Sequence, residues 1–150
     1  FIISESVSDS GKTDMGTTLI GLLFTPIGTF YINVGDSRLY RHRRNNLMQI
    51  SRDHSLREQL RNEGIASNII VNSFGVREEI CVDFDRVGGR VIDDDAFLLC
   101  GDGLSDVLND EEIEASLKEH HTVDALLADV LEKGAVDNIS IVLVSVSLEQ

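Results

Sequence analysis

The stretch Phe97-Leu98-Leu99-Cys100-Gly101-Asp102-Gly103-Leu104-Ser105-Asp106 decides how this chain is read. A short apolar run, typical of a buried strand, stops at an acid set between glycines and passes into a helix-like segment. Farther along, Asp137-Asn138 stands immediately before a second apolar run, Ile139-Ser140-Ile141-Val142-Leu143-Val144. One carboxylate leaves a strand and the other precedes one, so both are expected to converge at one sheet edge. Carboxylate oxygens are hard ligands, suited to Mg²⁺ or Mn²⁺.

Upstream of that stretch, residues 4 to 14 read as a polar loop. Thr17 to Phe24 and Thr29 to Val34 read as two strands around the turn residues Pro26 and Gly28, an antiparallel hairpin. Gly35-Asp36-Ser37 breaks the apolar pattern as a bulge would, and Arg38 to Arg41 resumes it. Arg43 to Asn46 make a polar turn into a short strand, Leu47 to Ile50. Asp53 suits the N-cap of a helix with Leu56 and Leu60 on one face and Gly64 as its stop. Residues 65 to 78 carry little pattern. Ile80, Val82 and Phe84 alternate with Cys81, Asp83 and Asp85, as in a half-buried strand, and 91 to 100 hold another, interrupted by Asp93-Asp94-Asp95.

Downstream, Asn109 caps a helix whose first turn carries Asp110, Glu111 and Glu112, favourable at the positive end of the helix dipole. Thr122 caps a second, with Val123, Leu126, Leu127, Val130 and Leu131 on one stripe and Lys133-Gly134 at its end. A last strand runs from Ile139 to Val146. Strands, then two helices, then one strand argue for a layered α+β fold rather than a doubly wound parallel sheet.

The 150 residues suffice for one domain with its own core, and 42 % hydrophobic content is ordinary for a globular chain. A net charge of −13, from 13 basic and 26 acidic side chains, repels nucleic-acid phosphate and argues against a DNA or RNA partner. Most of those acids read as solvated surface. No apolar run is long enough to span a bilayer. Cys81 and Cys100 lie in strand-like runs without paired or metal-type spacing, and read as buried reduced thiols in a cytoplasmic setting.

Four segments, taken in order, carry a family resemblance: Met15-Gly16-Thr17-Thr18-Leu19; Asn33-Val34-Gly35-Asp36-Ser37-Arg38-Leu39-Tyr40; Ser51-Arg52-Asp53-His54-Ser55-Leu56; and Leu99 to Asp106 together with Asp137-Asn138-Ile139-Ser140. The chain resembles the metal-dependent PPM-type (type 2C) serine/threonine protein phosphatases in their bacterial form. The resemblance implies an α-β-β-α sandwich of two antiparallel sheets flanked by helices. It implies hydrolysis of phosphoserine and phosphothreonine in proteins by a metal-activated water, with Mn²⁺ or Mg²⁺ as cofactor. Asp102 and Asp137 correspond to two ligands of one metal. Asp36 corresponds to a ligand of an additional metal, shared with Asp102. The segment Arg57 to Glu79 occupies the place of a mobile flap beside the active site. The implied partner is a phosphoprotein, the substrate of a Ser/Thr kinase.

The family pattern is departed from twice. Gly101 stands where the family usually has Ser, a small residue for a small residue. No counterpart of the family's N-terminal Asp-Gly pair precedes Met15. The expectation is therefore a partial domain over 1–150, inactive by itself and self-associating through an open sheet edge.

Plainer readings stand beside these. Asp102 and Asp137 also suit ordinary turns. Gly35-Asp36-Ser37 suits a structural turn with the Asp bonded to nearby backbone N–H groups. Arg38 reads as pairing with an acid, His54 as anchoring a loop, and His120 and His121 as solvated at a helix junction. The functional alternative is a non-catalytic phosphatase-like regulatory or binding domain.

Overall fold

The computed structural model describes residues 16–55, 72–75 and 80–148. The loop at 4 to 14, the helix expected after Asp53, and the flap expected from Arg57 to Glu79 (apart from 72–75) lie outside the described residues.

Strand β1 (Leu19–Thr25) and β2 (Gly28–Val34) form the expected hairpin, with Pro26 and Ile27 between Thr25 and its partner Gly28. Strands β3 (Arg38–Arg43) and β4 (Asn46–Gln49) form a second hairpin. Its turn residues Arg44 and Asn45 both take left-handed φ, 50° and 61°, as a two-residue type I′ turn requires. Strand β5 (Asp83–Arg86) lies against β2, giving a three-stranded sheet in the order β1-β2-β5. Strands β6 (Ala96–Cys100) and β7 (Ile141–Ser145) extend the second sheet to the order β4-β3-β6-β7. All pairings are antiparallel.

Gly35-Asp36-Ser37 is not a bulge. It is the step by which the chain leaves the three-stranded sheet and enters the four-stranded one. A bulge and a crossover each break the alternation once, so the local pattern does not separate them.

The three helices described are α1 (Asp102–Ser105), α2 (Asp110–Glu119) and α3 (Val123–Glu132). Asn109 and Glu112 form a reciprocal capping box at the start of α2, and Thr122 accepts from Ala125 N–H at the start of α3. Gly134, at φ +85°, ends α3.

The four-stranded sheet is apolar on both faces, as the period of two along β3 and β6 allows. Leu39, Phe97 and Leu99 meet Ile20, Leu22 and Tyr31 of the other sheet. Tyr40, Leu98 and Cys100 face Leu104, Ile113, Leu117, Leu126 and Val130 of the helical layer. The fold is thus the expected α+β sandwich of two antiparallel sheets with flanking helices.

Two expectations need correction. Val82 and Phe84 point outward, at 47 % and 61 % exposure. Phe84 stacks on Phe30 at 5.6 Å, and the Arg86 guanidinium lies over the same ring. Alternation marks two faces of a strand without saying which is inside. Cys81 is exposed, whereas Cys100 is buried and its thiol is pushed up to about 12 by that burial; neither forms a disulfide.

One acid of the Asp93-Asp94-Asp95 turn is structural. Asp95 is 1 % exposed and accepts from Arg43 twice, at 2.6 Å each, and from Ile92 N–H at 2.9 Å. Burial opposes its charge, but Arg43 and the Ile92 N–H outweigh it and hold the carboxyl below its usual range. A depressed folded-state pKa contributes stability above the unfolded carboxylate value and loses it as the pH falls through the folded one. Asp95→Ala should therefore cost about 2–3 kcal/mol in urea unfolding at neutral pH, less than a fully buried pair because Arg43 is partly exposed. The deficit should shrink progressively as the pH falls from about 4, where the unfolded chain takes up the proton, through the depressed folded-state pKa, where the parent also loses the charge.

No helix among the described residues is long and apolar enough to cross a membrane.

Candidate metal centre

The antiparallel registers place the end of β2, the start of β3, the end of β6 and the start of β7 at one end of the sandwich. Asp36 lies in the crossover between sheets, Asp102 opens α1 directly after β6, and Asp137 lies in the loop before β7. All three line a single cleft of about 660 Å³, together with Thr18, Ser37 and Asn138. The structure therefore brings the three sequence-derived candidates together.

The Asp36 loop is pinned from several sides. Gly35 sits at φ +111°, and a Cβ there would run into the Thr18 side chain, so glycine is required. Thr18 and Ser37 share a hydroxyl hydrogen bond of 2.7 Å. Asn33, fully buried, donates through Nδ2 to the carbonyls of Gly35 and Arg52. His54 N–H donates to the Gly35 carbonyl at 2.9 Å, and Gly35 N–H donates to His54 Nδ1 at 3.2 Å. That second bond needs a lone pair on Nδ1, which puts the ring proton on Nε2, toward Asp83 at 3.0 Å. His54 is thus the loop anchor expected of it. Thr18, Ser37 and Asn33 stand in the segments that carry the family resemblance, but their pairings, across nineteen positions for Thr18–Ser37 and for Asn33–Arg52, are not readable from the sequence pattern.

Asp53 and Arg38 form the pair expected for Arg38. The Asp53 carboxylate accepts from Arg38 Nε and Nη2, at 2.7 to 3.1 Å, and from Gln49 at 2.8 Å. Burial works against the guanidinium charge, but Asp53 more than offsets it and holds Arg38 above its usual range. Arg38 also donates to the Tyr40 hydroxyl, which donates onward to Asp110. This network braces β3 beside the Asp36 loop.

Asp102 and Asp137 are held next to each other by backbone packing. Gly101 N–H donates to the Ser140 carbonyl, extending the β6–β7 ladder to the start of α1. Gly103 lies against the Asn138 carbonyl so closely that a Cβ there would overlap its oxygen and come within 2.9 Å of its carbon. The Asp137 carboxylate is exposed and accepts from Asn138 N–H at 2.6 Å.

Electrostatically the cleft is short of positive charge. Asp36 is only 7 % exposed, and its carboxyl is raised to about 6, first by burial and then by Asp102. A bound cation would reverse both effects. Among the described residues, no group of three or more His, Cys, Asp or Glu side chains is drawn tightly enough to enclose an ion. Mg²⁺ is commonly held by one or two carboxylates and keeps several waters, and the carboxylates that line the cleft are donors of that kind. The donors are oxygens throughout, as Mg²⁺ and Mn²⁺ prefer.

Gly101 has extended backbone and open space where a Cβ would go. The family's usual Ser therefore fits. Gly101→Ser is expected to leave stability unchanged or raise it by up to about 1 kcal/mol, by restricting the unfolded chain. Thermal denaturation checks this; a clear loss would mean that the glycine is needed.

Comparison with known proteins agrees with this architecture. The family model described as "Protein phosphatase 2C" matches residues 4–138, a range that includes all three acids. A relative described as serine/threonine phosphatase stp, from Listeria monocytogenes, is 32% identical over 99% of this chain and 64% of its own length. Among solved structures, PppA of Pseudomonas aeruginosa superposes with a TM-score of 0.84 at 33% identity, covering 95% of this chain and 62% of PppA. The catalytic domain of the serine/threonine protein phosphatase PstP, solved with two manganese ions, superposes at 0.76 with 28% identity, over 95% and 64% of the two chains. The chain belongs to the protein phosphatase 2C family. It spans about 64% of the length of the curated Listeria relative.

Proposed function

We propose that the complete protein is a Mn²⁺- or Mg²⁺-dependent protein phosphatase acting on phosphoserine and phosphothreonine. The observation that carries the proposal is the gathering of Asp36, Asp102 and Asp137 around one cleft within the family-matched residues. Asp102 and Asp137 would hold one ion, and Asp36 with Asp102 a further one. When bound, a divalent ion supplies Lewis acidity toward phosphoryl oxygens and lowers the pKa of a coordinated water. The chain's own part is to fix the carboxylates: Gly103 sets Asp102 against the Asp137 loop, and His54, Asn33 and Thr18 fix the turn that carries Asp36. A non-catalytic role is favoured by no feature of this cleft.

The substrate would be a phosphoprotein modified by a Ser/Thr kinase, placing the protein in signalling. A cytoplasmic location is supported by two unpaired thiols. Self-association of the 1–150 chain by itself is supported by β1 and β7, edge strands among the described residues, with Leu19 and Val142 exposed. Sedimentation should then show a concentration-dependent mass.

The test of the activity is hydrolysis of a phosphoserine peptide and of p-nitrophenyl phosphate by the complete protein. Mn²⁺ should support it, a chelator should abolish it, and fresh Mn²⁺ should restore it. Hydrolysis unaffected by chelation would refute the proposal.

Asp36 gives a finer prediction. Its raised folded-state pKa means that stability is favoured while it is protonated, and this is lost as the pH rises through about 6. At pH 7 the ionised carboxylate therefore opposes folding. Asp36→Asn should leave the thermal midpoint unchanged or slightly higher at pH 7, while raising the Mn²⁺ concentration needed for half-maximal turnover. A lower midpoint with normal Mn²⁺ dependence would make Asp36 a structural turn residue only.

A further inference from the structure

On the helix-facing side of β3, away from the cleft, two histidines from distant parts of the sequence meet. His42, near the end of β3, is 5 % exposed, and its Nε2 is shielded from solvent without a hydrogen-bond partner among the described residues. A buried imidazole nitrogen left in this way is uncommon and marks a place that a water or an ion would satisfy. His121 lies in the connection between α2 and α3, at φ +53°, a left-handed conformation that side-chain-bearing residues adopt rarely. The His42 and His121 ring centroids are 5.7 Å apart, with the planes inclined at 53°.

That spacing suits a shared ion. With a metal–nitrogen distance of about 2.0–2.1 Å, an imidazole centroid lies roughly 3.2 Å from the metal, so two rings on a tetrahedral ion stand roughly 5–5.5 Å apart. The observed separation exceeds this by a few tenths of an ångström, within the reach of small side-chain rotations.

We propose that His42 and His121 form a two-histidine site for a borderline divalent ion, Zn²⁺, Ni²⁺ or Cu²⁺, clamping the α2–α3 connection onto β3. Imidazole suits these ions, whereas the all-oxygen cleft suits Mg²⁺ and Mn²⁺. No third His, Cys, Asp or Glu among the described residues joins the pair closely enough to ligate, so water would complete the coordination. The nearby Glu114 of α2, whose charge acts on His42, has one oxygen bonded to Leu47 N–H at 2.6 Å. The inference is independent of the phosphatase reading, since none of these residues lines the acidic cleft.

The test uses the complete protein, stripped with a chelator, returned to excess Mg²⁺ and titrated with Zn²⁺ while thermal unfolding is followed. The midpoint should rise by roughly 3–6 °C when Zn²⁺ reaches about ten times its dissociation constant. The rise should vanish in His42→Gln and His121→Asn and persist in His120→Gln. Asn tolerates left-handed backbone and position 121 is exposed, so His121→Asn remains informative even where His42→Gln unfolds. In proton NMR, substoichiometric Cu²⁺ should broaden the ring signals of His42 and His121 before those of His54. No rise in the parent, an undiminished rise in His121→Asn, or earlier broadening of His54 would each overturn the site.

Discussion

Asp137→Ala in the complete protein is expected to lower Mn²⁺-dependent turnover by at least ~10²-fold while leaving unfolding free energy within about 0.5 kcal/mol of the parent. The split follows from where the side chain sits. Asp137 is exposed, and its carboxylate accepts from the adjacent Asn138 N–H, so little packing is lost with it. Its removal does take away one of the carboxylates that would hold a cation in the cleft, and metal stabilisation of phosphoryl transfer is worth several kcal/mol. Asp102→Ala should behave alike in turnover. It opens α1, where an acid is favoured by the helix dipole, so a slightly larger stability loss is expected there. The measurement pairs steady-state hydrolysis over a Mn²⁺ range with urea unfolding. Turnover at the parent level in Asp137→Ala would remove this residue from the metal site. Turnover that falls only in step with unfolding would make it structural.

The two acids were legible in the sequence because each sits where an apolar run begins or ends, and such breaks survive without knowledge of the fold. The same holds for the Asn109 and Thr122 caps and for the first hairpin, whose signals lie within a few residues of each other. What was not legible depends on partners far away in the chain. The crossover at Gly35-Asp36-Ser37 is set by Thr18, Asn33 and His54, and nothing in its own pattern separates it from a bulge. Asp95 reads as one of three surface acids until Arg43 is brought to it from fifty-two positions away. Phe84 follows a strand alternation with its apolar side outward, because alternation gives the period and the tertiary fold gives the direction. Asp36 belongs to both groups: the motif marked it, but its burial beside Asp102, and hence its raised pKa, is a property of the assembled cleft.

Gly103→Ala is expected to damage both stability and catalysis, although it adds a single methyl to a helix, where alanine is ordinarily the better residue. The helix propensity gain is at most about 1 kcal/mol. Against it stands a steric conflict with backbone: the new Cβ would overlap the Asn138 carbonyl oxygen, and no side-chain rotation relieves a clash with a main-chain atom. Gly103 is itself buried, so α1 cannot simply swing into solvent without uncovering Leu104, which is fully buried. Overpacking of this kind costs about 1–3 kcal/mol, and the strain has two ways out. Either α1 shifts and carries Asp102 with it, or the Asp137–Asn138 loop shifts and carries Asp137. Each would separate the two carboxylates proposed to share an ion, and misplacement by about 1 Å can cost ~10²-fold in rate. The variant should therefore show a lower thermal midpoint, a higher Mn²⁺ requirement and reduced turnover even at saturating Mn²⁺. Gly101→Ser, two residues away with open space for its side chain, is the matched control and should show none of these. If Gly103→Ala kept the parent's Mn²⁺ dependence and turnover, the close packing of α1 on the Asp137 loop would not be what aligns the two acids.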